Sequence, residues 1–421
     1  MRIKRGVPYL CQMEILAHLP DPPAQRLAIQ VKPAAERALR RQHPWIFEEA
    51  ITKQNAEGVA GSLAIIFDRK KDKFLTAGLY DPHSPIRIKA LQFGQPARID
   101  ALWFSGKIEQ AYERRKPLLE TDTNSYRFLY GENDGLPGLV ADVYDQVLVL
   151  KLYSFIWLPY LKMVLPPLLR LSECTTVVLR LSRNLQARPD LCHGLSDGQV
   201  IHGTLEKEEI LFREHGLLFS ANVVKGHKTG YFLDHRHNRK RIGELAKEKT
   251  VLDVFAYAGG FSVHALAGGA TAVTSLDISA QALEMAAQNV ALNHLGGRHR
   301  TLTGDAFEQM EQLSKTGQRF DIVIVDPPSF AKQRSEREKA LQAYRQLATL
   351  AAGIVAPKGL LLLASCSSRI TAPEFFEAVL EVLDNHPRQF RESGRTYHDT
   401  DHPIGFPEGA YLKAIYLEAQ Q

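Results

Sequence analysis

An aspartate interrupts a short apolar run in the segment TVLDVFAYAGG, residues 250–260. The residues around Asp253 are typical of a buried parallel strand. Because a buried carboxylate needs a partner, the acid indicates a function. Gly259 and Gly260 then allow a sharp turn into a helix, the arrangement that opens a nucleotide-binding α/β domain. The alternative is a glycine pair that serves packing alone.

The turn lacks the G-x-G-x-x-G spacing that holds a pyrophosphate, which disfavours a dinucleotide. An acid within the strand suits a ligand with a cationic end, and S-adenosylmethionine fits that description. In such domains the ligand lies beyond the carboxyl ends of the strands. We therefore predict that Asp253, Phe255 and Gly259 bind S-adenosylmethionine.

Two further acids follow the next two predicted strands. Asp277 lies 24 residues after Asp253, where a carboxylate can accept hydrogen bonds from both ribose hydroxyls. It could instead cap the helix predicted for 280–293, although Ser279 is the better cap. Asp305 follows the third strand and is placed either to accept from an adenine amino group or to cap a helix. The sequence leaves both alternatives open.

The fourth and fifth predicted strands end on Asp326-Pro-Pro and on Ser-Cys366-Ser-Ser. The two prolines fix a rigid bend just after Asp326, which is also predicted to contact the cofactor. A lowered pKa at a strand end would make Cys366 a reactive nucleophile, whereas a small core residue is the alternative. Five strand ends thus bring polar groups to one edge of one sheet.

The elements that must position these groups indicate an α/β protein of several domains. Residues 222–421 are predicted to form a Rossmann-like domain, because strands and helices alternate there. Residues 27–98 consist of short strands and one basic helix, typical of a small β barrel. Residues 99–221 are predicted to be α+β, and residues 1–26 a weakly ordered extension.

Composition is that of a soluble globular protein, with 45% hydrophobic and 24% charged residues among 421. Prolines and a lysine interrupt the most apolar stretch, 154–171, so we predict no membrane span, and we recognise no signal peptide. The four cysteines lack CxxC spacing, and the histidines at 227, 235 and 237 fit no zinc pattern. We therefore predict no metal, no disulfide framework and a cytoplasmic protein.

The net charge of +5 is concentrated near the N-terminus. Residues 27–98 contain 12 Lys or Arg and 7 Asp or Glu, a difference of +5. Such an excess is expected of a region that binds nucleic acid, and a solvated lysine-rich surface is the alternative. Arg37, Arg40 and Arg41 cluster at the end of the basic helix and are the predicted RNA contacts.

Several segments together resemble one known family. Residues 27–98, with His43-Pro-Trp-Ile-Phe47 and the motif 78–87, resemble the PUA-type RNA-binding domain of certain ribosomal RNA methyltransferases. The segment GHKTGYFLDHR (226–236) is similar to one in the ribosomal RNA large subunit methyltransferase I family, with His227 where the family usually has glutamine. Lys228 and Arg236 of this segment are further predicted RNA contacts. The resemblance extends over residues 27–421.

The resemblance implies methyl transfer from S-adenosylmethionine to the C5 carbon of a cytidine in large-subunit ribosomal RNA. It implies Cys366 as the nucleophile and Asp326 as its neighbour at the base. The chemistry agrees, because C5 of cytosine is a weak nucleophile until a thiolate adds to C6. The cytidine must be unpaired or flipped, and the group that removes the C5 proton is not identifiable from the sequence.

Other functions remain open on the same residues. A guanine-nitrogen ribosomal RNA methyltransferase would need no cysteine, since guanine nitrogens are already nucleophilic. A non-catalytic RNA-binding protein could retain the fold, although the acids at 253, 277, 305 and 326 argue against it. A nicotinamide oxidoreductase is disfavoured by the missing phosphate fingerprint. A homodimer is compatible with the sequence.

Overall fold

The computed structural model describes residues 14–70, 72–331 and 333–421. The chain divides into two compact units. The first contains the residues up to Phe212 together with Ala221–Phe232 and Thr400–Phe406, and the second contains Arg213–Ser220, Leu233–Asp399 and Pro407–Gln421. Of the predicted N-terminal extension, residues 1–13 lie outside the described residues. Leu16 and Leu19 are buried in the core of the first unit, so this part of the extension is packed.

The first unit begins with a six-stranded sheet in the order β2-β6-β5-β4-β1-β3. Strands β1 and β4 are parallel and the other neighbours are antiparallel. Alternate residues of β1 are buried, as expected for a strand with one face on a core. The elements are β1 (Arg26–Val31), α1 (Pro33–Arg40), β2 (Trp45–Ile46), β3 (Ile51–Gln54), β4 (Leu63–Phe67), β5 (Phe74–Tyr80) and β6 (Ile88–Phe93).

A second sheet of the same unit has five strands in the order β11-β10-β9-β8-β7. Its elements are α2 (Ala101–Leu119), β7 (Ser125–Tyr130), β8 (Leu139–Tyr144), β9 (Val147–Leu152), α3 (Leu161–Ser172), β10 (Thr176–Leu181), α4 (Arg183–Gln186) and β11 (Val200–His202). The apolar stretch 154–171 forms a short 3-10 helix and most of α3. Among the described residues, no helix combines the length and apolar character needed to cross a membrane.

The segment Thr400–Phe406 completes the first unit from far along the chain. A carboxylate oxygen of Asp401 accepts from the backbone N–H of Arg127 at 2.9 Å. The carbonyl oxygen of Asp401 accepts from the buried guanidinium of Arg115 at 3.0 Å. Gly405 N–H donates to Asn133 Oδ1 at 2.7 Å. This short segment therefore provides hydrogen-bond partners for groups near β7.

The second unit contains a seven-stranded sheet in the order β16-β15-β14-β17-β18-β20-β19. Strands β14 to β18 are mutually parallel, and β20 is antiparallel to both β18 and β19. The elements before and within this unit are β12 (Glu209–Glu214), β13 (Leu217–Asn222), α5 (Arg236–Leu245), β14 (Thr250–Val254), α6 (Gly260–Ala267), β15 (Ala272–Asp277), α7 (Ala280–Leu292), β16 (His299–Thr303), α8 (Ala306–Lys315), β17 (Phe320–Val325), α9 (Arg337–Ile354), β18 (Val355–Cys366), α10 (Ala372–Asp384), β19 (Phe390–Thr396) and β20 (Leu412–Ala419).

This strand order confirms the predicted Rossmann-like sheet. The chain runs outward from β14 to β16 on one side and then returns to β17 and β18 on the other. The direction of the strand order reverses between β14 and β17, and ligands of such sheets bind outside the carboxyl ends of the strands at that point. All five predicted strand ends therefore lie at the ligand edge of one sheet.

Candidate functional site

Asp253 lies on β14 with its carboxylate buried. Its Oδ2 accepts from Ser262 N–H at 3.1 Å and from Ser262 Oγ at 2.7 Å, at the start of α6. The Ser262 hydroxyl also contacts Ser275 Oγ at 2.7 Å, which in turn lies 2.8 Å from His299 Nε2. Burial raises the pKa of Asp253 to about 7, since the Ser262 bonds offset only part of the desolvation and Asp326 adds repulsion.

The turn after β14 has an unusual backbone. Phe255 and Tyr257 have φ angles of 63° and 47°, and Gly259 has φ 72°. A β-carbon at Gly259 would lie 2.7 Å from Ala286 Cβ on α7, so both the conformation and the close approach require glycine here. Gly259 therefore shapes the turn, and its predicted cofactor contact stays a prediction.

We expect Gly259→Ala to lower the free energy of unfolding by about 1–3 kcal/mol, because the new methyl group combines backbone strain with overpacking. Urea denaturation would measure the change. Gly297→Ala is the matched control, since a β-carbon at the exposed Gly297 meets no atom within 4 Å. An equal effect of the two substitutions would contradict the steric explanation.

Asp277 ends β15 and supports the same turn. Its Oδ2 accepts from Tyr257 N–H at 2.9 Å, and its Oδ1 accepts from Ser279 N–H at 2.9 Å. Ser279 caps α7 by accepting from Ala282 N–H. The helix cap is thus Ser279, as the sequence favoured, while the ribose contact of Asp277 stays a prediction.

We expect Asp277→Ala to weaken S-adenosylmethionine binding by about 1.5–3 kcal/mol, the scale of a hydrogen bond to a charged group. Isothermal titration calorimetry would measure the affinity. Ser279→Ala removes only the cap of α7 and should leave the affinity nearly unchanged. If Ser279→Ala weakens binding as much as Asp277→Ala does, the helix rather than the carboxylate is responsible.

Asp305 caps α8, because its Oδ1 accepts from the backbone N–H groups of Phe307 and Glu308 at 2.9 and 3.2 Å. This is one of the two alternatives that the sequence left open. The adenine contact predicted for Asp305 is a second role that the cap does not require. It stays a prediction.

Cys366, at the end of β18, lies beside Asp326, which follows the neighbouring strand β17. The Cys366 thiol donates to Asp326 Oδ1 over 3.5 Å. The buried side chain of His235 completes the cluster, with its Nε2 3.3 Å from the same Asp326 oxygen and 3.8 Å from Cys366 Sγ. The two residues singled out for chemistry from the sequence are therefore adjacent, and His235 is an addition that the sequence analysis missed.

Lys413 on β20 is a second addition, because strand pairing places it opposite Ser365. Its buried Nζ donates to the carbonyl oxygens of Ser367 and Ile370, each at 2.5 Å, and to that of Tyr411 at 3.1 Å. Burial lowers the pKa of Lys413 to about 8, partly offset by the nearby Cys366. Lys413 therefore holds the chain immediately after the cysteine.

The ligand atoms of His235, Asp326 and Cys366 lie within 4.8 Å of one another, which is a possible donor set for a metal ion. The contacts among these three side chains already account for the short distances between the three atoms without a metal ion. The absence of a metal cofactor therefore stays a prediction.

The residues predicted to contact RNA have different environments. Arg40, on α1, forms ion pairs with Glu36 and Asp68, and Arg37 belongs to the same last turn. Lys228 Nζ lies 4.4 Å from the ring centre of Phe232. Arg236 is a correction: its side chain is fully buried, with Glu214 at 3.7 Å and Asp399 at 3.2 Å, so its guanidinium is not available to RNA. Arg41 directly follows α1 and is exposed.

The edge as a whole fits S-adenosylmethionine. Four aspartates follow or lie within adjacent strands, which suits a ligand with a positively charged end and a ribose diol. The acids are those at 253, 277, 305 and 326. Bound there, the cofactor would supply a methyl group from a sulfonium centre.

Comparisons with known proteins agree with this fit. The family model of S-adenosylmethionine-dependent methyltransferases matches residues 170–407, and a PUA-like domain model matches residues 29–93. A ribosomal RNA large subunit methyltransferase of Deinococcus radiodurans is 45% identical over 406 residues, covering 95% of this chain and 99% of that protein. The ribosomal RNA large subunit methyltransferase I of Alteromonas mediterranea is 33% identical over 401 residues, covering 92% and 98%.

A solved structure of a candidate S-adenosylmethionine-dependent methyltransferase from Streptococcus mutans has a TM-score of 0.78 and 19% identity. The match covers 93% of this chain and 99% of the Streptococcus mutans chain, and at this identity it supports the fold alone. The two family models confirm the predicted PUA-like domain and methyltransferase fold. On the sequence relatives and these models, the chain belongs to the ribosomal RNA large subunit methyltransferase family of S-adenosylmethionine-dependent enzymes.

Proposed function

We propose that this protein methylates C5 of a cytidine in large-subunit ribosomal RNA through a covalent bond between Cys366 and C6 of the base. The observation that carries the proposal is the 3.5 Å separation of Cys366 Sγ and Asp326 Oδ1 at the ends of adjacent strands. A thiol beside a carboxylate at the ligand edge is the pair that addition to cytosine requires. The relatives named for large-subunit ribosomal RNA support this class of substrate.

Asp326 and Cys366 can carry the protons and electron pairs of this reaction in the following steps. Asp326 takes the thiol proton of Cys366 and passes it to N3 of the base while the sulfur bonds to C6. The electron pair of the C5–C6 double bond moves to C5–C4, and the pair of the C4–N3 double bond moves to N3, which takes the proton. The resulting enamine makes C5 nucleophilic. C5 then gains the methyl group while the C4–N3 double bond re-forms, and it loses its proton to a base as the C5–C6 double bond re-forms and the thiolate leaves. N3 returns its proton through Asp326 to the Cys366 sulfur. The net change is one methyl group gained and one proton released.

A guanine-nitrogen methyltransferase is the second candidate, because the four acids of the edge would serve it equally well. That reaction has no use for a nucleophilic thiol. The proximity of Cys366 to Asp326 therefore favours the cytidine reaction.

The deciding experiment is methyl transfer from labelled S-adenosylmethionine to unmodified large-subunit ribosomal RNA, followed by digestion to nucleosides. We expect the label in 5-methylcytidine for the wild-type protein. A labelled methylguanosine would overturn the proposal and favour the second candidate. Failure to bind S-adenosylmethionine would favour a non-catalytic RNA-binding protein.

We assign RNA binding to residues 27–98, a central α+β domain to residues 99–221 and methyl transfer to residues 222–421, with residues 1–26 as an extension. The PUA-like match to residues 29–93 and the excess of basic residues in this region support an RNA-binding role. A ribosomal RNA substrate also implies a cytoplasmic enzyme, and the homodimer remains a proposal.

We expect the double substitution of Arg40 and Arg41 by alanine to weaken RNA binding and to flatten its salt dependence. With fewer phosphate contacts, binding releases fewer counterions from the RNA. Affinities measured at several salt concentrations would give the slope. Lys315 and Arg319 are exposed basic residues at and after the end of α8, and their double substitution by alanine is the matched control. An unchanged slope for the Arg40 and Arg41 variant would place the RNA surface elsewhere.

A further inference from the structure

The structure contains a buried histidine at the nucleophile that the proposed reaction leaves without a role. His235 immediately precedes α5, and its ring packs edge-on against Phe261 at a centroid distance of 5.6 Å. Its Nε2 faces Asp326 Oδ1 and Cys366 Sγ, as described above. The other ring nitrogen, Nδ1, lies 3.0 Å from Nδ2 of the fully buried Asn238.

The side chain of Asn238 is oriented by two hydroxyl groups. Its Oδ1 accepts from Thr396 Oγ1 at 2.8 Å and from Tyr416 OH at 2.9 Å. Burial raises the pKa of Tyr416, so its hydroxyl keeps the proton that it donates. With the amide oxygen taken by two donors, the amide nitrogen faces His235 and donates to Nδ1. The imidazole therefore carries its proton on Nε2.

We propose that His235 is a positioning residue for the nucleophile. The hydrogen bond from Asn238 fixes the proton on Nε2 of His235, and this N–H donor holds Asp326 and stabilises the Cys366 thiolate. This inference rests on the proposed function of Cys366. When the thiol proton moves to Asp326, negative charge develops on Sγ, and an N–H donor at that side favours the ionised form. No proton leaves His235 in this step.

The titratable groups around Cys366, Asp326 and His235 come from several elements. Burial lowers the pKa of His237 to about 4, so the other histidine near this site is neutral at physiological pH. Lys413 provides a cation behind Cys366, and Asp253 lies close enough to Asp326 to interact with it. The titratable groups that interact electrostatically with Cys366, Asp326 or His235 are Lys413, Tyr344, Asp253 and His237.

The test is the pH dependence of Cys366 alkylation by iodoacetamide in the full-length protein, followed on the Cys366 peptide by mass spectrometry. We expect His235→Leu to slow alkylation at about pH 7 by about tenfold, the effect of a shift of one pKa unit. His235→Gln keeps an N–H donor near the position of Nε2 and should restore most of the rate. His386→Leu, after α10, is the control for loss of a histidine.

Asn238→Asp gives an independent test of the tautomer. A carboxylate at position 238 would accept a hydrogen bond from Nδ1–H instead of donating to Nδ1, so the proton on Nε2 would no longer be fixed and the alkylation profile should differ from that of the wild type. This variant also decides the matter if His235→Leu does not fold. An alkylation profile identical to the wild type in folded His235→Leu, or in Asn238→Asp, would overturn the inference.

The steady-state kinetics should agree with the alkylation. We expect His235→Leu to lower kcat at least about tenfold while leaving the KM for S-adenosylmethionine nearly unchanged, because the donor acts on the nucleophile. Alkylation uses no RNA, so it reports on His235 even if the methylated nucleoside is not 5-methylcytidine. If Cys366→Ala abolishes 5-methylcytidine but the His235 variants behave as wild type, the inference alone fails.

Discussion

Replacing Cys366 by alanine is expected to abolish 5-methylcytidine formation, with a fall in kcat of at least about a thousandfold, as for loss of other enzyme nucleophiles. The reason is that C5 cannot attack the methyl group until a thiolate has added to C6. Affinity for S-adenosylmethionine should be nearly unchanged. Single-turnover methylation, with product detected as 5-methylcytidine, measures the effect.

A covalent trap makes this prediction sharper. In RNA that contains 5-fluorocytidine, the fluorine at C5 cannot leave as a cation, so the adduct with Cys366 should accumulate after methyl transfer. We expect a stable protein–RNA complex in denaturing gels for the wild type and none for Cys366→Ala. Cys192→Ala is the matched control, because the Cys192 thiol is buried and hydrogen-bonded to backbone carbonyls. Trapping by Cys366→Ala would exclude Cys366 as the nucleophile.

The second large effect concerns pH and Asp253. Burial raises its pKa to about 7, well above the value of about 4 for an unfolded aspartate, so the folded protein binds the extra proton between these values. The contribution of this group to stability is therefore present below about pH 4 and is lost as the pH rises to about 7. We expect Asp253→Asn to gain stability relative to the wild type by about 4 kcal/mol between pH 4 and 8.

Urea denaturation of the cofactor-free protein at several pH values would measure this difference. Comparing variant with wild type is necessary, because burial lowers the pKa of His264 and His299, whose contributions to stability change with the opposite sign and are lost as the pH falls below the ordinary histidine pKa of about 6.5. Asp384→Asn, at the exposed end of α10, is the control. A stability difference between Asp253→Asn and wild type that does not change with pH would show that Asp253 is ionised throughout.

The parallel strands and their ends could be predicted because their signals are local. Asp277, Asp326 and Cys366 each end or follow a strand as expected. An apolar run of four to six residues broken by glycine, proline or an acid marks a buried parallel strand wherever it stands in a chain. The basic helix α1 and the longer strands of the first sheet were predicted from local patterns as well.

The groups that surround Cys366 could not be predicted, since no local pattern connects them to it. Lys413 reaches the cysteine only because β20 inserts antiparallel beside β18, and no strand was predicted after β18. His235 was considered only as a metal ligand, and its partner Asn238 lies one helical turn further on. Arg236, next to it, was predicted to bind RNA, but a buried position is not visible from its charge.

The segment Thr400–Phe406 has a consequence for protein synthesis. A ribosome makes the chain from the N-terminus, so Arg115 and Arg127 emerge long before Asp401, which accepts hydrogen bonds from both. The whole of Leu233–Asp399, most of the second unit, is translated in between. The first unit therefore cannot reach its final hydrogen bonding as an independent early domain during translation, in contrast to the usual order in which N-terminal domains fold first.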